Sequence, residues 1–198
     1  MKLVLATQNP KKLKEMNEIL SHLGVEVVSE AELGVRIEVE ETGETFTDNA
    51  RLKATAVMQA TGLTAVADDS GLCVDALNGG PGVYSARFGG EGLDDKGRYT
   101  LLLEMLRGQT DRAAHFHTSI VCAFPNGDEL VCEGECPGTI AFAPMGEGGF
   151  GYDPVFFVPE LRKTFGQLTA EEKASVSHRG KALRAFAAAL DDYLKGNE

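Results

Sequence analysis

At 198 residues, with 43% hydrophobic and 25% charged side chains, the chain has the profile of an ordinary globular protein built on one sizeable core. Its formal net charge of −11 opposes broad contact with a nucleic-acid polymer, although a few clustered lysines and arginines suffice for a small phosphorylated ligand. No apolar run is long enough to span a bilayer, and the apolar stretch 3–6 is too short for a secretory signal, so a cytoplasmic protein without a membrane partner is expected.

The opening reads as a strand over 2–6 leading into a helix. Asn9 is a good N-cap and Pro10 suits the first helical position, where a missing N–H costs nothing. Leu13, Met16, Leu20 and Leu23 then recur at helical spacing, and Gly24 closes the helix. Short strands are expected at 25–28 and 35–39. A second helix over 47–61 buries Ala50, Ala54, Val57 and Met58 and ends at Gly62.

An apolar strand at 63–67 is expected to stop at Asp68-Asp69-Ser70-Gly71, and a glycine-rich loop spans 78–92. A third helix covers 94–106. Strands at 115–124 and 129–135 flank Pro125-Asn126-Gly127-Asp128, a strong hairpin turn. A second glycine-rich segment, 146–151, precedes a strand at 155–158, and a last helix starts near Ser177 with Leu183, Phe186, Ala187, Leu190 and Leu194 on one face. Helices and strands interleave at both ends. The expected architecture is therefore α/β, a mixed central sheet flanked by helices, forming a single domain over 1–198 with two lobes and an active-site cleft between them.

Five groups of residues could carry chemistry. Thr7, Gln8, Asn9, Pro10, Lys11 and Lys12 join a strand to a helix N-terminus, where unpaired N–H groups and the dipole favour an anion. Two lysines there oppose the dipole, a conflict that a bound phosphate would remove; a capped helix with solvated lysines is the plainer alternative. Glu40, Glu41, Asp68, Asp69 and Asp75 form an acidic set suited to a hard cation or a general base, or simply to turn formation. Asn49 and Lys53 lie one turn apart on the second helix and share a face.

Gly146, Gly148 and Gly151 match GxGxxG, but a strand follows where a dinucleotide site needs a helix. What remains is a loop carrying Phe150, Tyr152 and Asp153, suited to stacking on a base and bonding its edge. Finally, His178 and Arg179 open the last helix at the wrong end of its dipole, with Lys173 just upstream.

Taken in order, Thr7–Lys12, Thr45-Phe46-Thr47-Asp48-Asn49-Ala50, Ala67–Leu72, Gly80–Arg87, Gly149–Pro154 and Ser177-His178-Arg179-Gly180 resemble the inosine triphosphate pyrophosphatase family over essentially the whole chain. Gln8 departs from the pattern, since many relatives have Gly there. The resemblance implies Mg²⁺-dependent hydrolysis of ITP, dITP and XTP to the monophosphate and pyrophosphate by a homodimer, which would cleanse the nucleotide pool. It implies that Thr7 to Lys12 and Lys53 bind phosphates, and that Asp69 is the base or a metal ligand. Glu40 is preferred over Glu41 as its partner on the metal, by its distance from Gly43. Ser70 contacts the substrate, Phe150, Gly151, Tyr152 and Asp153 hold base and sugar, and Lys173, His178 and Arg179 read the base edge. A Maf-like pyrophosphatase with other preferred bases is the nearest rival, and a catalytically silent nucleotide-binding protein is the rival from another class.

Overall fold

Strand β1 (Lys2–Leu5) pairs in parallel with β2 (Glu26–Ser29) on one side and with β3 (Thr64–Val74) on the other. From β3 the sheet continues through β4 (Ala113–Ala123), β5 (Glu129–Ile140), β6 (Phe156–Val158) and β7 (Lys163–Thr164), in the order β2-β1-β3-β4-β5-β6-β7. The β5–β6 and β6–β7 pairs are antiparallel, so the seven-stranded sheet is mixed, as expected. Among the described residues five α-helices accompany it: α1 (Pro10–Leu20), α2 (Phe46–Thr61), α3 (Asp95–Met105), α4 (Ala170–Val176) and α5 (His178–Gly196). This computed structural model describes residues 1–7 and 9–196; Gln8 lies outside the described residues.

The chain divides into two compact units. The first comprises Met1–Asp69, Thr118–Gly134 and Ala182–Glu198, and the second Ser70–His117 and Glu135–Lys181. In the first unit, side chains alternate across the strands with period two. Leu3, Leu5 and Val66 pack with Met16 and Leu20 of α1 and with Leu183, Phe186 and Leu190 of α5. Val4 and Ala65 point the other way, towards Val57 of α2, and Ala67 packs with Ala50 and Ala54. Alanines on both partners let α2 lie close to β3. In the second unit, Leu72, Val74, Leu102, Leu106 and Ile140 enclose Phe116, Phe156 and Phe165, whose rings meet edge-on or stacked.

Several expected elements differ. The strand anticipated at 35–39 does not form. That segment is instead tied to the buried Glu30, whose carbonyl accepts from Val35 N at 3.1 Å and whose carboxylate accepts from Ile37 N at 3.1 Å. The strand expected to end before Asp68 runs on to Val74, so both aspartates lie in mid-strand. α1 ends at Leu20, and a 3₁₀ turn, Ser21–Leu23, carries the chain to Gly24. Within the glycine-rich stretch 78–92, residues Gly82–Arg87 form a 3₁₀ segment. β5 extends past Glu135 to Ile140. Helix α4 was not expected, although Thr169 and Glu172 supply both halves of its capping box.

Candidate active site

In the first unit the alternation of β3 decides where the two aspartates go. Asp68 falls on the side of α1, where its carboxylate accepts from Lys12 Nζ at 2.6 Å and is almost fully buried. Asp69 falls on the side of α2, where Asn49 Nδ2 donates to its Oδ2 at 3.2 Å and Lys53 Nζ lies 3.4 Å from its Oδ1. Lys53 also donates to Glu41 Oε1 at 2.7 Å and to the Asp68 carbonyl at 2.9 Å. One ammonium thus gathers two carboxylates and a strand carbonyl.

Burial pushes the Asp69 carboxyl above the ordinary carboxylate range. Lys53 opposes that shift, the Glu41 charge adds to it, and the Asn49 amide opposes it. Burial pulls the Lys53 ammonium down, but Asp69, Glu41 and Asp68 outweigh it and hold Lys53 above its usual value. The result is a half-buried carboxylate primed to accept a proton, next to a lysine that stays charged.

The glutamate that meets Lys53 is Glu41. Glu40 is exposed, and among the described residues its side chain makes no hydrogen bond or ion pair. The buried Asn49 sets this register, because its Oδ1 accepts from Gly43 N at 2.7 Å and so fixes the loop two residues beyond Glu41. Ser70 follows Asp69 in β3 and is exposed.

At the start of α1, Thr7 Oγ1 accepts from Asn9 N at 3.2 Å and Asn9 Oδ1 accepts from Lys11 N at 2.9 Å. Asn9 is therefore the N-cap expected of it, with Pro10 in the first turn. Its carboxamide oxygen is engaged by the helix, while Lys11 is exposed and Lys12 is held against Asp68. Among the described residues, no group of three or more His, Cys, Asp or Glu side chains is arranged to hold a metal ion.

In the second unit, a second set of expected residues comes together. Lys173 Nζ donates to Asp153 Oδ2 at 2.5 Å and lies 4.9 Å from the centroid of the Phe150 ring. Asp153 is buried and also accepts from Phe150 N at 2.9 Å. Burial raises its carboxyl, against the pull of Lys173 and the Phe150 amide. Phe150 itself is 75% exposed, an aromatic face with little cover.

His178 stacks on Phe116 with ring centroids 4.7 Å apart and planes 11° from parallel. Arg179 is half-buried beside it in the first turn of α5. Gly180 is needed at that turn, since a Cβ would overlap the Ala174 carbonyl at the end of α4.

The Tyr152 ring is buried and its hydroxyl donates to the Ser85 carbonyl at 2.7 Å, so the side chain anchors the loop from within. Asp95, which sequence reasoning did not single out, accepts from Gly151 N at 2.7 Å. Following the N-cap Asp94, it reads simply as a first-turn acid.

A family model described as Ham1 family matches residues 3–189. The chain is 50% identical over 196 residues to a dITP/XTP pyrophosphatase of Exiguobacterium sp., covering 99% of this chain and 100% of that protein. It is 52% identical over 194 residues to a dITP/XTP pyrophosphatase of Thermus thermophilus, covering 97% and 93%. The structure of the Staphylococcus aureus Ham1 protein matches with a TM-score of 0.91 at 41% identity over 100% of both chains. That of a HAM1 protein from Coxiella burnetii matches with a TM-score of 0.93 at 42% identity, over 97% and 99%.

Proposed function

The chain belongs to the Ham1 family, and on that premise we propose that it hydrolyses the non-standard purine nucleoside triphosphates dITP, ITP and XTP to the monophosphate and pyrophosphate. The observation that carries the chemistry is the pairing of Glu41 and Asp69 through Lys53, with Asp69 raised by burial in mid-strand. Relatives at about 50% identity over nearly the full length bear the name dITP/XTP pyrophosphatase, which supports the substrate class.

In this reading Asp69 takes a proton from water as its oxygen bonds to phosphorus. The anhydride bond between the α- and β-phosphates breaks and pyrophosphate leaves. Lys12, Lys53 and the N-terminal amides of α1 balance the phosphate charge. Glu41 and Asp69 are hard oxygen donors whose oxygens already lie within reach of one cationic atom, Lys53 Nζ. That donor set fits Mg²⁺, which takes one or two carboxylates and fills its remaining positions with water and substrate phosphates. When bound, Mg²⁺ would offset phosphate charge and polarise the phosphoryl oxygens.

Phe150 offers a face for the purine, and Lys173, His178 and Arg179 offer donors. Hypoxanthine and xanthine carry an acceptor oxygen where adenine carries an amine, so a donor-lined site favours the deaminated bases and leaves a donor unpaired against adenine. The consequence in the cell is removal of deaminated purines from the nucleotide pool.

The test is pyrophosphate release from dITP, ITP, XTP, ATP and GTP, each with Mg²⁺ and with excess EDTA. Release confined to the first three and abolished by EDTA is expected. Equal release from all five, or release that persists in EDTA, contradicts the specificity or the metal requirement respectively.

A further inference from the structure

The loop carrying Phe150 is held at several backbone points. Gly148 N donates to the Gly166 carbonyl at 2.9 Å, Phe150 N to Asp153 Oδ2 at 2.9 Å, and Gly151 N to Asp95 Oδ2 at 2.7 Å. The bonds of Phe150 and Gly151 lie on consecutive amides and end on two different carboxylates, so the peptide bearing the Phe150 ring is clamped from both directions. Gly149 closes the alternatives. It sits at φ 77°, and a Cβ there would overlap the Asp153 carboxylate.

Asp95 is well prepared to hold its end of the clamp. It lies in the first turn of α3, where the helix dipole favours its charge. One turn on, Arg98 Nη1 lies 3.5 Å from its other oxygen. Arg98 is largely buried, so this guanidinium is not free to wander into solvent. A carboxylate accepting from a backbone amide makes a charge-assisted bond, stronger than a neutral one. The ring carried on this held backbone is 75% exposed, with Lys173 against it. A large exposed aromatic held rigid by its backbone is organised in advance for a planar partner, and such preorganisation lowers the ordering cost of binding.

We propose that Asp95 is a positioning residue for purine recognition: by latching Gly151 N it holds the Phe150 ring in place for the base. It sets affinity for the nucleoside part of the substrate and leaves the phosphoryl chemistry alone. This rests on the reading above that Phe150 stacks on the purine.

The experiment compares wild type, Asp95→Ala, Asp95→Asn and Phe150→Ala. It measures KM and kcat for dITP, and calorimetric affinities for dIMP and for pyrophosphate. Asp95→Ala is expected to raise KM and weaken dIMP by roughly tenfold, the scale of one charge-assisted bond. Its kcat stays within about twofold, and pyrophosphate affinity is unchanged. Asp95→Asn keeps an acceptor for Gly151 N but loses the charge, and recovers part of the loss.

If Phe150→Ala raises KM and Asp95→Ala does not, the positioning role is overturned while the base platform stands. The role is equally overturned if Asp95→Ala loses kcat and pyrophosphate affinity together with dIMP, or if Asp95→Asn is as impaired as Asp95→Ala. If Phe150→Ala changes neither KM nor dIMP affinity, the platform itself is wrong and the proposal falls with it.

Discussion

The Asn49 side-chain amide donates to Asp69 Oδ2 at 3.2 Å. Because Asn49 also accepts from Gly43 N, one buried side chain aligns the proposed base and the loop that carries Glu41. The amide favours ionised Asp69, so removing it raises the Asp69 carboxyl further. Activity that needs ionised Asp69 is lost as pH falls through that value. In Asn49→Leu the acid limb of kcat/KM against pH therefore moves to higher pH, and the orphaned Gly43 amide costs about 1–3 kcal/mol of stability. An acid limb that stays put or moves down contradicts this arrangement.

Asp69→Asn separates chemistry from folding. The folded-state carboxyl is raised by burial, so its ionised form is disfavoured in the fold relative to the unfolded chain. The sign follows: at neutral pH the Asp69 charge works against stability, and that burden vanishes only at acid pH, below the unfolded carboxyl's value. Asn removes the charge, so Tm is expected to hold or rise while turnover falls roughly 10²–10⁴-fold, the usual worth of a positioned base. Thermal denaturation alongside dITP turnover checks both. A lower Tm or preserved turnover overturns the assignment.

Lys12 serves Asp68 as well as any phosphate. Lys12→Met removes the ammonium that meets a carboxylate whose side chain is 2% exposed, at a cost of about 2–3 kcal/mol, since Lys12 itself is partly open to water. Adding Asp68→Asn should restore most of the stability without restoring turnover. If the double variant regains activity as well, Lys12 acts through Asp68 alone and makes no contribution to substrate charge.

Tyr152→Phe tests the anchoring role of that hydroxyl. The lost hydroxyl leaves the Ser85 carbonyl without its buried donor, for a stability loss of about 1–2 kcal/mol by chemical denaturation. KM for dITP should change by less than about threefold, because the hydroxyl faces the interior. A large rise in KM with unchanged stability would give the hydroxyl its role at the substrate instead.

Much of this was legible in the sequence, and particular residues show where legibility ended. Asn9 and Pro10 announced the start of α1, and the apolar stripe of α5 at Leu183, Phe186, Ala187 and Leu190 packs as its spacing indicated. Asp68 and Asp69 read as strand breakers because aspartate resists sheets locally. The strand continues because partners distant in sequence, Lys12, Asn49 and Lys53, answer both charges.

The choice between Glu40 and Glu41 was beyond periodicity, since an irregular loop has none. That Glu41 is the one to meet Lys53 follows from the Asn49–Gly43 hydrogen bond, which fixes the loop. Helix α4 had a visible signal in Thr169 and Glu172, but at seven residues it is too short for a hydrophobic period to support it. Asp95 offered no signal, because its partner Gly151 belongs to a different stretch of chain and the bond uses only a backbone amide.

The central claim is the bond that breaks. Phosphorus-31 NMR of dITP incubated with the enzyme and Mg²⁺ reads it directly. The account predicts dIMP and inorganic pyrophosphate appearing in equal amounts from the first turnover. Orthophosphate appearing together with the nucleoside diphosphate would place cleavage at the terminal phosphate and contradict it.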